Sequence, residues 1–327
     1  MKLLLCLALF LAAPTIAADL TPADQQRVAH AAADLIERRY VDPAKGRRIA
    51  QALRAEKWRE SAEAKAFAQK LTGWLRSQSR DGHFAVDYSA EPIAESGGEA
   101  TFSQAEMERF YGAQLNHGVE KVERLEGNIM LLDLRVFPPP TMAGDVIAAA
   151  MTLVAQGDAL IIDLRRNGGG MDSANLLMSY LLPPGTEISG SFDRPTGKRT
   201  HTTTAAWVPG RVFGTDKPVY ILTSKRTFSA AEAVAYDLQA AKRAVVVGEV
   251  TGGGANPFEY RRIDAHFALS LPEARSINPV TGTNWQDVGV RPDVAVPSDQ
   301  ALETALGLAR EAIKGRSVAS SDPRSLP

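Results

Sequence analysis

Cysteine is almost absent from this chain. The single thiol, Cys6, lies in the first apolar run. Once that run is removed, no thiol remains. Cysteine nucleophiles, disulfide frameworks and thiolate metal sites are therefore excluded. Histidine is scarce too, with only His30, His83, His117, His201 and His266. No two of them have the helical spacing of H-E-x-x-H, so no metal and no cofactor are expected. Charge of one sign is also missing. A formal net charge of -1 gives no basic surface for nucleic acid, and no like-charge block reads as an interaction tail. Finally, no apolar stretch is long enough to span a bilayer as a stable helix.

What is present begins with a leader. Lys2, the apolar run Leu3–Ala13 and the small residues Pro14-Thr15-Ile16-Ala17-Ala18 read as a secretory signal peptide over residues 1–18, cleaved after Ala17 or Ala18. The mature protein is then expected in the periplasm or outside the cell, with no stable membrane insertion. Residues 19–78 carry helical periodicity (Val28, Ala32, Leu35, Ile36) behind the helix start Thr21-Pro22-Ala23-Asp24. They predict a small helical domain. A turn at Asp81-Gly82 and alternation over Phe84–Tyr88 predict a strand. Glu91–Glu99 reads as a loop and residues 103–115 as a helix.

From Asn128 strands and helices alternate. Strands are predicted over Ile129–Val136, Ala159–Leu164, Pro218–Thr223, Ala244–Val247, 264–271 and 288–296. Helices are predicted over Ala143–Ala155, 172–182, from Ser229 to about Ala241, and over Asp299–Lys314. The unbroken apolar run Ala159-Leu160-Ile161-Ile162 suits a strand covered on both faces. The pattern implies an α/β core spanning 79–315, with a disordered tail over 316–327. In such folds ligands collect where strands end and helices begin. Gly168-Gly169-Gly170, Ser229 and Gly252-Gly253-Gly254 all fall at such ends.

Ser229-Ala230-Ala231-Glu232 is ambiguous on its own, because S-x-x-E is the signature of a capping box. The alternative is a serine nucleophile at a helix start. There the N–H of Ala230 and an N–H from Gly168 or Gly169 would form an oxyanion hole. The glycine run is equally readable as a tight strand-to-helix turn; it lacks the lysine of a P-loop. A nucleophilic serine needs a base. His83, on a turn at a strand edge, has the best setting of the five histidines.

Three segments carry a resemblance: "ALIIDLRRNGGG", "LTSKRTFSAAEAVAYDLQAAKRAVVVGEVTGGGANP" and "INPVTGTNWQDVGVRPDVAVP". Together they resemble the tail-specific (C-terminal processing) protease family, in particular its tricorn-like and interphotoreceptor retinoid-binding-protein-like branch. The resemblance covers about residues 79–310. It implies a crotonase-like (ClpP-like) core and a serine peptidase acting on peptides or proteins, with Ser229 as nucleophile. The lysine base of the processing branch would fall at position 254, which is Gly254 here; Lys225 and Lys242 do not occupy it. The tricorn-like branch uses a histidine, matched by His83 in "RDGHF", and an oxyanion glycine, matched by Gly168 or Gly169. Only the 44 residues 84–127 separate His83 from Asn128, which implies no PDZ domain.

Two departures stand out. Relatives carry glutamate after the tryptophan of "TNWE", where this chain has Gln286. They often carry histidine after "GGGA", where it has Asn256. If that glutamate orients the histidine, its place falls to Gln286, Asp81 or Asp287. Partners implied are a peptide or protein substrate and no nucleic acid; a homo-oligomer is left open. The competing reading is a non-catalytic binding protein for apolar ligands or peptides on the same fold. Acyl-CoA chemistry is disfavoured, since export removes the protein from the coenzyme A pool.

Overall fold

The computed structural model describes residues 19–93 and 104–320. The expected signal peptide, most of the 91–99 loop and the last seven residues lie outside that range.

The chain opens with helices α1 (Pro22–Arg39), α2 (Pro43–Ala55) and α3 (Ala64–Ser79). Local chemistry starts the first two. Thr21 and Asp24 form a reciprocal capping box ahead of Pro22, and Asp42 accepts the Ala44 and Lys45 N–H groups ahead of Pro43. Strand β1 (Ala85–Tyr88), helix α4 (Gln104–Tyr111) and strands β2 (Val119–Leu125) and β3 (Ile129–Leu134) follow. Next come α5 (Pro140–Val154), β4 (Ala159–Asp163), α6 (Ser173–Ser179), β5 (Glu187–Asp193) and β6 (Arg199–Thr203). The remainder is β7 (Val219–Thr223), α7 (Ala230–Ala240), β8 (Val245–Gly248), β9 (Phe258–Arg262), β10 (Phe267–Pro272), β11 (Ala274–Ile277), β12 (Val294–Ala295) and α8 (Ala301–Ser320).

The fold is mixed α/β. Its main sheet has the order β12-β8-β7-β4-β3-β2, parallel except for β2. Both faces are covered, which explains the continuous apolar runs. Met130, Leu132, Leu160, Ile162, Val219 and Ile221 face one core with α5, α6 and α7. The alternate residues Leu131, Ile161, Tyr220 and Leu222 face α8 through Ala301, Ala305 and Ala309. α8 therefore continues past Lys314 into the segment expected to be disordered, as far as Ser320.

A second, antiparallel sheet has the order β1-β10-β9, and a third the order β11-β5-β6. The helical layer packs on the β1-β10-β9 sheet: Ile36, Leu53, Phe67, Leu71 and Leu75 share one core with Phe84, Val86, Phe267 and Leu269. The buried Glu273 carboxylate ties the two together, taking Arg39 at 2.6 Å and Arg261 at 2.7 Å. Strands β4, β7 and β8 are neighbours and run the same way. Their exits, carrying Gly168–Gly170, Ser229 and Gly252–Gly254, thus lie at one edge of the sheet.

Candidate active site

The turn between β7 and α7 is held by the exit of β4. Thr227 Oγ1 donates to Leu164 O at 2.8 Å and Ser224 Oγ donates to Arg165 O at 2.6 Å. The Phe228 N–H reaches Asn167 O at 3.1 Å. So anchored, the chain enters α7 through Ser229 at φ 54°, ψ -122°, a conformation that favours glycine. Such a turn thrusts the side chain outward at the helix start.

There Ser229 Oγ meets His83 Nε2 at 2.9 Å. The two residues are 146 positions apart in sequence. His83 precedes β1; its backbone carbonyl accepts the Ser270 hydroxyl of β10 at 2.7 Å. Its ring is 4.7 Å from Phe228 and 5.4 Å from Phe258, centre to centre. The His83 ring is buried and packs against both aromatic rings.

The capping box is only half expressed. Glu232 Oε2 accepts the Ser229 N–H at 2.8 Å. The serine side chain keeps the relative placement of a capping residue toward the Glu232 amide, yet makes no cap hydrogen bond. Its hydroxyl goes to His83. Glu232 is itself wholly buried and also takes Thr251 Oγ1 at 2.5 Å, the Gly253 N–H at 2.6 Å and the Gly254 N–H at 2.8 Å. Burial pushes its carboxyl above the usual range against the pull of these donors. One carboxylate thus locks the serine turn to the Gly252–Gly254 loop.

Asp81 lies behind His83. Its Oδ1 is 3.4 Å from Nδ1, an ion-pair distance at which Nδ1 makes no well-formed hydrogen bond. The same oxygen accepts the His83 N–H at 3.1 Å. Burial, the strongest single influence, would push the Asp81 carboxyl up. The His83 ring and the hydrogen bonds from Asn256 and the His83 amide together outweigh it and hold the group below its ordinary value. Asn256 Nδ2 donates to Asp81 Oδ2 at 2.9 Å, and the Tyr40 hydroxyl of the helical layer reaches it at 3.4 Å.

The other expected orienting residues are placed elsewhere. Gln286 Oε1 accepts the Ala255 N–H at 2.8 Å and its Nε2 donates to Asp287 at 2.9 Å. Asp287 in turn pairs with Lys45 at 3.4 Å. The carboxylate at Nδ1 is Asp81. The remaining histidines have separate partners: His30 with Gln26, His117 with Tyr111 O, His201 with Glu187 and His266 with Ser89 O.

The glycine amides also separate. Gly169 N–H donates to the Asn167 side chain at 2.8 Å. Its α-carbon backs directly on the serine turn, since a β-carbon there would be 2.7 Å from Ser229 Cβ and 2.9 Å from Ala230 N. Gly168 faces open space. The Ala230 N–H, first in α7, has no acceptor within the helix. Among the described residues no His, Asp or Glu cluster suits a metal ion, and no helix is long and apolar enough to cross a membrane. The site opens into a cleft of about 1130 Å³ whose walls include Met107, Tyr111, Met171, Ala174 and Trp285.

Sequence reasoning did not place Tyr40 here, and nothing local to Tyr40 signals it. Asn256 was visible only as a departure from the resemblance. Glu232 was visible only as a capping residue.

The model of peptidase family S41 matches residues 129–296, just over half of the chain. A carboxyl-terminal-processing protease of Synechocystis sp. is 34% identical over 110 residues, covering 33% of this chain and 24% of that protein. A carboxy-terminal-processing protease of Bartonella bacilliformis is 29% identical over 188 residues, covering 53% and 40%. The chain thus spans well under half the length of these curated relatives. The solved photosystem II D1 C-terminal processing protease is similar in fold at a TM-score of 0.51 and 17% identity, covering 88% of this chain and 96% of that one. With a family model spanning more than half its length, the chain belongs to peptidase family S41.

Proposed function

We propose that the protein is a serine endopeptidase in which Ser229 is the nucleophile and His83 the general base. The observation that carries this reading is the 2.9 Å contact between Ser229 Oγ and His83 Nε2 at the mouth of a large cleft. Ser229 Oγ attacks the substrate carbonyl carbon while Nε2 takes its proton. The imidazolium formed has its Nδ1–H against the Asp81 carboxylate, which favours that charge. The carbonyl oxygen, now negative, is received by the Ala230 N–H at the positive end of α7. A second N–H comes from the glycine turn. The Gly169 amide would first have to leave the Asn167 side chain, which leaves the Gly168 amide as the alternative donor. His83 then protonates the leaving amine. In the second half it deprotonates water, which hydrolyses the acyl-enzyme and frees Ser229.

The doubly covered sheet and the placement of Ser229 at its edge support a crotonase-like (ClpP-like) core over residues 79–315, and the 44 residues between His83 and Asn128 support the absence of a PDZ domain. The leader sequence supports action in the periplasm or outside the cell, on peptides or proteins, beginning at Ala18 or Asp19. N-terminal sequencing of protein from its native cell tests that location; retention of Met1 in the cytoplasm would refute it.

The apolar walls of the cleft favour a second reading, a binding protein for apolar ligands or peptides. A serine-directed phosphonate separates the two. Covalent labelling of Ser229, lost in His83→Ala, is expected of the peptidase; an unreactive Ser229 would favour the binder.

A further inference from the structure

We propose that Asn256 is a positioning residue of this site, holding the Asp81 carboxylate so that one of its oxygens faces His83 Nδ1. The inference rests on the Ser229–His83 reading above.

The two oxygens of Asp81 are divided between two sets of partners. Oδ1 takes the His83 backbone N–H at 3.1 Å and lies 3.4 Å from Nδ1. Oδ2 takes Asn256 Nδ2 at 2.9 Å, with the Tyr40 hydroxyl further off at 3.4 Å. A carboxyl turns about its terminal bond through a broad well, so its rotation is set by its donors. Fixing Oδ2 therefore fixes where Oδ1 points. Asp81 is 0% exposed, and water cannot substitute for a lost donor without reorganising the site.

Asn256 is well built for this. It is 4% exposed, and its one side-chain hydrogen bond among the described residues goes to Asp81. The backbone before it is pinned, with the Gly254 N–H on Glu232 and the Ala255 N–H on Gln286. Pro257 follows and restricts it from the other side. A primary amide donates without carrying charge and does not titrate, so it supports an ionised Asp81 across the working pH range. With Oδ1 so placed, the neutral imidazole keeps its proton on Nδ1 and leaves Nε2 free to accept from Ser229. Asn256 thus acts through Asp81.

The test compares wild type, Asn256→Leu, Asp81→Asn and the double variant. It measures kcat and KM on a peptide substrate, and the His83 tautomer by ring-nitrogen NMR at neutral pH. Asn256→Leu is expected to lower kcat about 10- to 100-fold with KM little changed, the usual effect of losing a hydrogen bond to a charged group. The His83 ring should pass from one tautomer, protonated on Nδ1, to a mixture. In the Asp81→Asn background the same change should cost less than about threefold, because both act on one interaction. An equal loss in both backgrounds, or an unchanged tautomer, overturns the proposal. Should Asn256→Leu not fold, Asn256→Ala removes the same donor without adding charge and is judged by the same criteria. Should wild type turn over no peptide, the peptidase reading falls while the tautomer measurement alone decides the role of Asn256.

Discussion

Gly254 sits against the edge of the His83 ring. A β-carbon on Gly254 would lie 2.9 Å from His83 Cε1 and would overlap the ring of Phe228. The space a side chain at position 254 would need is therefore filled by the rings of Phe228 and His83.

Gly254→Ala should accordingly displace the His83 ring or Phe228. Near-attack geometry is lost by shifts of about 1 Å, so kcat should fall roughly 100-fold. Overpacking should lower stability by about 1–3 kcal/mol. A crystal structure of the variant and steady-state kinetics check this; wild-type kcat would refute it.

Ser229 separates cap from nucleophile through its backbone. Its φ of 54° strains any residue but glycine. Ser229→Gly should therefore be at least as stable as wild type, and Ser229→Ala no more stable than that glycine variant. Neither should turn over peptide, since removing a nucleophile typically costs several orders of magnitude in rate. Melting curves beside peptidase assays decide it, and an active, stable Ser229→Gly would end the catalytic assignment.

Gln286 has its own bonds to the Ala255 N–H and Asp287. Gln286→Glu keeps the acceptor but sets a carboxylate beside Asp287. We expect kcat within about threefold of wild type, because the substitution leaves Asp81 at Nδ1, and a stability loss of at most about 1 kcal/mol. A large rise in kcat would instead place this residue in control of His83.

Asp237 contributes to the pH dependence of stability. Burial pushes its carboxyl up to about 7; Asn278 Nδ2 donates to Oδ1 at 2.7 Å, and among the described residues Oδ2 has no partner. The folded state binds this proton more tightly than the unfolded chain does. Its stabilising effect is therefore full below about pH 4 and declines as pH rises to about 7, by at most about 4 kcal/mol. Asp237→Asn cannot ionise and can still accept from Asn278. Its unfolding free energy should vary less between pH 4 and 7 and should match or exceed wild type at pH 8. Denaturant titrations across that range test it, and an unchanged pH slope would refute it.

Much of this protein is determined by sequence alone. Period-two runs and unbroken apolar runs mark β3, β4, β7 and β8, because strands covered on both faces need apolar side chains throughout. Glycine runs and the Ser229 helix start mark the sheet edge where chemistry gathers. Strands β2, β5, β6, β9 and β11 escape that reading. Their residues are mostly half-exposed and mixed, such as Arg199-Thr200-His201-Thr202 on β6, so pairing with neighbours rather than periodicity makes them strands. The contacts among Ser229, His83, Asp81 and Asn256 were likewise closed to sequence. Asp81 and His83 are two positions apart in the chain, but the His83–Ser229 and Asp81–Asn256 contacts span 146 and 175 positions. Only packing the helical layer and the β1-β10-β9 sheet against the edge of the main sheet brings these residues within hydrogen-bond reach. That packing also assigns the carboxylate at His83 to Asp81 rather than to Gln286 or Asp287. A hydrogen bond between distant residues is fixed by ångström-scale placement of whole layers, which no local pattern encodes.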